Sequence, residues 1–290
     1  MTNSKKSAGI SMKDYNCKNQ CTWCDGCGNY GILTAIKRAL IELGLAPHQV
    51  LICFDVGCHG NMSDTLVGYR FHGLHGRVIS LSAGAALANP DVPVIAFGGD
   101  GACFSEGVGH LVHAIRSNYN MTFILHNNGN YGLTTGQASS LTPRGEKMDM
   151  APLGTVEEPL NSMDFVFSLN PSFVARGFNG NISQLTNILK SAIYHQGFSY
   201  VDVLQACPTY NKFVSHEYLL EKCYECEPMN FETARKAAVD TSEKIATGVL
   251  YQDKTRPTFL DQLEARKGID SRLVDEVKKV DVSALLAKFS

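Results

Sequence analysis

The sequence predicts an α/β fold with a doubly wound parallel sheet, and two observations predict it. Short apolar runs of strand length alternate with segments of helical period along most of the chain. The polar clusters that carry chemistry fall where two of those runs end, beyond strand carboxyl ends, the place where such sheets bind ligands. A cysteine-bearing segment precedes this region and a C-terminal extension follows it.

Residues 31–43 have apolar spacing of helical period and stop at Gly44, with Pro47 beyond. Residues 50–54 (Val-Leu-Ile-Cys-Phe) read as a buried strand, and 78–88 as a helix of small residues stopped by Asn89 and Pro90. The run 92–97 leads into Gly99-Asp100-Gly101; residues 104–117 then read as one helix, and the run 121–125 leads into Asn127-Asn128-Gly129-Asn130-Tyr131-Gly132. Strand 173–176, helix 182–195 and strand 199–205 continue the alternation. Residues 134–162 are rich in Gly, Pro and Met without a period, too long for a routine connection, and read as a functional loop over a cofactor. Beyond about Lys212 come a short strand at 246–251 and a charged helical tail over 265–290. The division expected is an α/β domain over 1–211 and an extension over 212–290 that packs on it or on a partner.

Basic and acidic residues number 26 and 28, so nothing recommends nucleic acid or a membrane surface as a partner. The start, Met1 to Ser7, has no apolar leader core, and no stretch approaches a membrane span. Ten cysteines in 290 residues exceed ordinary usage, yet a chain this long does not depend on disulfides. The expectation is a reducing cytoplasm, with cysteines that bind metal, act in redox chemistry or pack.

Asp100 and Asn128 carry the spacing of a thiamine diphosphate and magnesium site. Magnesium takes hard oxygens in an octahedron and keeps phosphate oxygens as ligands, so one Asp carboxylate, one Asn carbonyl and one backbone carbonyl complete what a diphosphate begins. Gly99 and Gly101 let the backbone approach phosphates. Asp-Gly and Asn-Gly are common turn dipeptides, so either cluster alone reads as a turn. The pair, each member after a buried strand, reads as a site.

Among the cysteines, Cys21, Cys24 and Cys27 are spaced by two residues, with Cys17 before them; Cys58 follows a strand, Cys207 precedes Pro208, and Cys223 and Cys226 lie late. Cys53 and Cys103 sit in apolar segments and read as small buried hydrophobes. Cys-x2-Cys fits zinc or iron–sulfur equally. An electron-accepting cluster is the coherent partner of thiamine chemistry that oxidises a substrate, whereas zinc would supply nothing to that reaction.

The string Trp23-Cys-Asp-Gly-Cys-Gly-Asn-Tyr-Gly-Ile-Leu33, the Val56-Gly-Cys-His59 step, His75-Gly-Arg77, Gly99-Asp-Gly101, residues 128–137 and Cys207-Pro-Thr-Tyr-Asn211 occur in that order. Together they resemble the beta subunit of 2-oxoacid:ferredoxin oxidoreductases, from about Cys24 to about Tyr251. The resemblance implies a sheet of the thiamine diphosphate-binding type and the oxidative decarboxylation of a 2-oxoacid to acyl-coenzyme A, with electrons passed singly to ferredoxin, as in anaerobic metabolism. It implies that Cys24, Cys27, Cys58 and Cys207 hold a [4Fe–4S] cluster, and that Asp100, Asn128 and the Asn130 carbonyl hold magnesium. His75, near the diphosphate or reacting centre, is the catalytic candidate. Gly57, Cys58, His75, Gly76, Gly99, Asp100, Gly101, Ala102, Asn128, Asn130, Gly132, Leu133 and Thr134 are the cofactor-binding candidates. It further implies an alpha-type subunit, and gamma- or delta-type subunits where an enzyme has them, supplying the glutamate that activates the aminopyrimidine ring and the coenzyme A site. Glu106 itself reads as a helix N-terminal residue favoured by the dipole.

Three departures bear on the expectation. Ala102 stands where many members carry a second acid, and Asn130 where an aliphatic residue is usual. Asn61 stands where members using dicarboxylates often have a basic residue, which favours pyruvate, a branched-chain or an aromatic 2-oxoacid over 2-oxoglutarate. Cys17, Cys21, Cys223 and Cys226 lie outside the matched positions, as a second metal set or as unligated thiols; His110 and His113 read as packing or surface. The alternatives are a non-oxidative thiamine diphosphate-dependent decarboxylase or lyase, and a non-catalytic metal-binding scaffold protein of a larger complex.

Overall fold

Helix α1 (Asn29–Glu42) buries Ile32, Ala35, Ile36, Ala39 and Leu40, one stripe of helical period, and so needs an apolar face to lie on. In the computed structural model, which describes residues 9–277 and 281–289, that face is one side of an eight-stranded sheet. The segment read for a leader and parts of the expected helical tail, residues 278–280 and 290, lie outside the described residues.

After α1 come β1 (Leu51–Phe54), β2 (Tyr69–His72), α2 (Val78–Ala88), β3 (Val94–Gly99), α3 (Val108–Ser117) and β4 (Met121–Asn127). A two-stranded ribbon, β5 (Asn130–Tyr131) and β6 (Gln137–Ala138), follows, then α4 (Ser162–Ser168), β7 (Phe173–Phe178), α5 (Ile182–Tyr194) and β8 (Phe198–Leu204). The chain closes with α6 (His216–Lys222), β9 (Cys223–Glu225), α7 (Phe231–Val239) and β10 (Ile245–Gln252). The strand order is β2-β1-β3-β4-β8-β7-β10-β9. The pairs from β2 to β7 are parallel, β10 runs antiparallel to β7, and β9 is parallel to β10.

Alternation along the strands fills both faces. Ile52, Phe54, Ile95, Phe97 and Ile124 point toward α1 and α5, while Cys53, Ala96, Phe123 and Leu125 point toward α2 and α3. Cys53 and Cys103 are both buried, as small apolar groups. Along β1 and β3 the side chains are apolar throughout, and polarity begins where these strands end.

Two elements differ from expectation. The helix read over 104–117 is broken: Ala102–Glu106 forms a π turn, in which the Gly107 amide donates to Ala102 O, five residues back, at 2.8 Å. Such a bulge redirects side chains and is frequent at functional sites. The tail beyond residue 264 has only short helical turns among the described residues, Glu264–Arg266, Leu273–Glu276 and Ser283–Leu286. Val277, Leu286 and Phe289 stay exposed, so among the described residues no apolar stripe is buried there to hold a continuous helix. No helix of the described residues is long and apolar enough to cross a membrane.

Candidate cofactor and metal centre

The carboxyl ends of β1, β3 and β4 lie side by side and enclose a cavity of about 170 Å³. From the end of β1 come Gly57 and Cys58, from β3 Gly99, Gly101 and Ala102, and from β4 and the ribbon Asn128, Asn130, Gly132, Leu133 and Thr134. His75, from the loop between β2 and α2, closes the same wall. Gly76 and Asp100 are not in the lining; they stand behind it. Val56, His59 and Tyr131 complete the lining, and the sequence reading does not single them out. A larger cavity of about 470 Å³ lies at the amino ends of β4 and β8, between α2 and residues 258–273. That is the end of a parallel sheet where ligands do not bind.

Two glycines keep the smaller cavity open. A Cβ on Gly101 would stand 2.3 Å from the Tyr131 ring. Gly57 has φ +149°, and a Cβ there would meet the His59 ring at 2.6 Å.

Asp100 is 1% exposed. One carboxylate oxygen accepts from the Ser139 hydroxyl and the other from the Asn128 amide at 3.4 Å. Burial pushes its pKa up to about 7 against the lowering by these two hydrogen bonds, so the carboxylate is short of positive charge. Asn128 Oδ1 accepts from the Asn130 amide at 3.1 Å, and the Asn128 carbonyl accepts from Asn130 Nδ2 at 2.9 Å and Asn211 Nδ2 at 2.7 Å. One carboxylate, amide oxygens and backbone carbonyls form a set of hard donors that fits magnesium with a diphosphate. Among the described residues, no three His, Cys, Asp or Glu side chains gather around a single ion, and this set, with its one carboxylate, is not of that kind.

At the mouth, His75 Nδ1 lies 3.6 Å from Glu106 Oε1, and the Tyr131 hydroxyl donates to Glu106 at 3.4 Å. Glu106 is thus not a helix N-terminal residue: it closes the π turn and faces the cavity mouth, because the extra residue of that turn swings it away from α3. Asp55, at the end of β1, holds this wall in place. Its buried carboxylate accepts from the amides of Gly76 at 2.9 Å, Val56 at 2.7 Å and Val78 at 3.4 Å. Burial raises the Asp55 pKa, and those amides oppose the rise.

The cysteines separate into two groups. Cys24 and Cys27 are joined by a tight turn, with the Cys27 amide bonded to Cys24 O at 3.1 Å and Gly26 at φ +76° in the third position. Cys58 opens a 3-10 turn after β1, its carbonyl held by Trp23 Nε1 at 2.6 Å, and Cys207 lies just past β8. Cys58 Sγ and Cys207 Sγ stand 3.4 and 3.8 Å from where a Cβ on Gly132 would be, so both thiols border the cavity wall.

Cys58 lies within reach of the charge of the other three thiols, and Cys27 of that of Cys24 and Cys207. Burial, with the neighbouring thiols adding to it, pushes Cys27 to about 11 and Cys58 to about 12. Such thiols give up protons readily only to a metal. They are not drawn together tightly enough for one ion. A four-iron cubane is larger than an ion and fits a wider set of thiolates, whereas zinc needs all four sulfurs about 2.3 Å from one centre. Cys223 and Cys226 lie by the far edge of the sheet, where Cys226 Sγ donates to Thr247 O at 3.2 Å; Cys17 and Cys21 lie near the buried Lys37. Neither pair joins the four. Asn61 Nδ2 donates to Thr22 Oγ1 at 3.0 Å and is not in the cavity lining.

A parallel sheet with a glycine-backed cavity at its strand ends, one buried carboxylate beside it and thiols at its wall defines a domain of the thiamine-diphosphate-binding type. Known proteins agree with that class. Residues 55–203 match the family of the thiamine pyrophosphate enzyme C-terminal TPP binding domain, and residues 207–268 match the family of the C-terminal part of the pyruvate ferredoxin oxidoreductase beta chain. The 2-oxoacid:ferredoxin oxidoreductase subunit beta of Saccharolobus solfataricus is 40% identical over 260 residues, 87% of this chain and 85% of that one. The corresponding protein of a Sulfolobus species is 38% identical, covering 84% and 85%. The solved 2-oxoglutarate:ferredoxin oxidoreductase from Magnetococcus marinus, with 2-oxoglutarate, coenzyme A and succinyl-CoA bound, superposes with a TM-score of 0.86 at 31% identity, over 99% of this chain and 98% of that one. The chain belongs to the beta subunits of the 2-oxoacid:ferredoxin oxidoreductases, enzymes that oxidise a 2-oxoacid, ligate coenzyme A and reduce ferredoxin.

Proposed function

We propose that this protein holds thiamine diphosphate, magnesium and a [4Fe–4S] cluster in one continuous site, and catalyses oxidative decarboxylation of a 2-oxoacid to acyl-coenzyme A. The observation that carries this reading is the shared wall: Cys58 lines the cavity that Asn128 and Gly101 also line, and Cys207 touches it through Gly132. When bound, thiamine diphosphate supplies the carbon nucleophile and electron sink, and the cubane supplies a one-electron acceptor beside it.

The chain's own residues do the holding. Asp100, Asn128 and the Asn130 carbonyl take the magnesium ion; Gly99 and Gly101 admit the diphosphate to the backbone; Cys24, Cys27, Cys58 and Cys207 ligate iron. Asp55 orients the His75-Gly76 wall through its three amide bonds, so that His75 faces the cavity with Nδ1 toward Glu106. His75 is then placed to hold or pass a proton near the reacting centre. Tyr131 and Leu133 give the same space an apolar side. Residues 1–211 form the cofactor-binding part, and 212–290 extend it toward a partner.

An alpha-type subunit supplies the activating glutamate and the coenzyme A site, with ferredoxin as the electron acceptor and the cytoplasm as the compartment. The test is reconstitution under anaerobic conditions. Alone, the chain should show no coenzyme-A-dependent reduction of a viologen dye with any 2-oxoacid, because a ring without its proton acceptor forms little carbanion; the alpha-type subunit should restore turnover. Full activity from the lone chain would overturn the division of labour.

A further inference from the structure

One buried hydrogen-bond chain is not used by the holding residues above. Gln205, 2% exposed and just past β8, places its side chain over Gly28, where a Cβ would stand 2.5 Å from Gln205 Cγ. Its Nε2 lies 3.8 Å from Cys27 Sγ, and its Oε1 lies 3.1 Å from His126 Nδ1. The same His126 nitrogen is 2.8 Å from Asn29 Oδ1. With the Asn29 and Gln205 oxygens turned toward it, Nδ1 carries the proton, and His126 Nε2 and Asn29 Nδ2 have no partner among the described residues. A cysteine that ligates iron is a thiolate, an acceptor only. The Gln205 amide therefore has one orientation that satisfies both ends: NH₂ toward sulfur, oxygen toward His126.

A hydrogen bond to a ligating sulfur draws off negative charge and favours the reduced cluster, which carries one electron more. We propose that Gln205 is a positioning residue for the electron acceptor: its side-chain amide, its orientation fixed by His126, donates to the Cys27 thiolate and raises the reduction potential of the cluster. The proposal rests on the reading that Cys24, Cys27, Cys58 and Cys207 hold a cubane. Asn29 adds a second, backbone donor to Cys27. That donor is unaffected by side-chain substitution at 205.

The experiment uses the anaerobically purified complex with its alpha-type subunit, with iron and sulfide assayed on every sample and the cluster midpoint read by EPR-monitored redox titration. Gln205→Leu removes the donor at similar size and should shift the reduction equilibrium about tenfold toward the oxidised form, a fall of about 59 mV for one electron. His126→Phe frees the amide to turn and should move the midpoint in the same direction by less. Wild-type protein labelled with ¹⁵N in glutamine side chains should show a ¹⁵N coupling to the reduced cluster by pulsed EPR, whether or not the variants hold iron. An unchanged midpoint in Gln205→Leu with four irons retained, or no glutamine ¹⁵N coupling in the wild type, would overturn the proposal. Wild-type complex without iron would overturn the cluster assignment and the proposal with it, an outcome the iron assay tells apart from the other two.

Discussion

Replacing Asp100 by Asn keeps the size of the side chain and one of its two hydrogen bonds but removes the charge. In the folded chain this carboxylate is buried, with the Ser139 hydroxyl, the Asn128 amide and its own backbone amide against it. Its contact with a divalent ion is charge-assisted, worth roughly 1.5–3 kcal/mol, so affinity for the magnesium–diphosphate pair should fall about 10- to 150-fold. At a cofactor concentration 100 times the wild-type Kd, binding stabilises the wild type by about 2.7 kcal/mol; the variant should retain between about 1.4 and 0.3 kcal/mol. Without cofactor the order reverses: above pH 7 the wild type buries an ionised group without a cation, and the variant should be at least as stable. Calorimetric titration and urea unfolding with and without thiamine diphosphate and magnesium measure both effects. Equal affinity in the two proteins would refute the assignment of Asp100 to the ion, and a less stable apo variant would refute the argument from its uncompensated charge.

Three further outcomes are expected. Cys58→Ala should lose the iron, whereas Cys53→Ala, which removes a buried thiol from the apolar face of β1, should keep it; iron and sulfide assays on both variants decide. Burial depresses His195 to about 4, with Ser172 and Gln252 as its hydrogen-bond partners at 2.9 and 3.2 Å. The unfolded chain takes up that proton near pH 6.5 and the folded one only near 4, so stability should fall by up to about 3 kcal/mol across that window and change no further below it. The difference between wild type and His195→Asn in urea midpoints isolates this contribution; a difference independent of pH would contradict it. Among the described residues no lysine or arginine lines the cavity, so pyruvate, branched-chain or aromatic 2-oxoacids should exceed 2-oxoglutarate in kcat/KM in the reconstituted enzyme, and a preference for 2-oxoglutarate would reject that argument.

The strands around the site were legible because both faces of the sheet are covered: the run 50–54 is apolar at every position and 121–125 at all but Thr122, and polarity returns where they end. Helix α2 was legible to the residue, since Asn89 and Pro90 stop it. The π turn was not, because an extra residue in a helix leaves the apolar pattern nearly intact while changing which way Glu106 faces. The tail was misread because its charges suggest a helix face, whereas its apolar residues Val277, Leu286 and Phe289 find no cover. The glycine, aspartate and asparagine clusters were readable as a site from their places after strands. Asp55 and Ser139 were not, since each is an isolated polar residue whose role depends on a partner elsewhere in the fold. Ser139 reaches Asp100 across 39 positions. For Asp55 a signal existed: an acid directly after an apolar strand, at the same end of the sheet as the other two clusters.

The central claim is that thiamine diphosphate and a cubane share one site on this chain, and stoichiometry on a single sample tests it most directly. The complex, purified without oxygen and assayed together for iron, sulfide, zinc and thiamine diphosphate, should contain about four irons, four sulfides and one thiamine diphosphate per beta chain from this site, with iron lost in variants at Cys24, Cys27, Cys58 and Cys207 and cofactor binding weakened in variants at Asp100 and Asn128. Stoichiometric zinc with negligible iron, or iron without thiamine diphosphate, would contradict it.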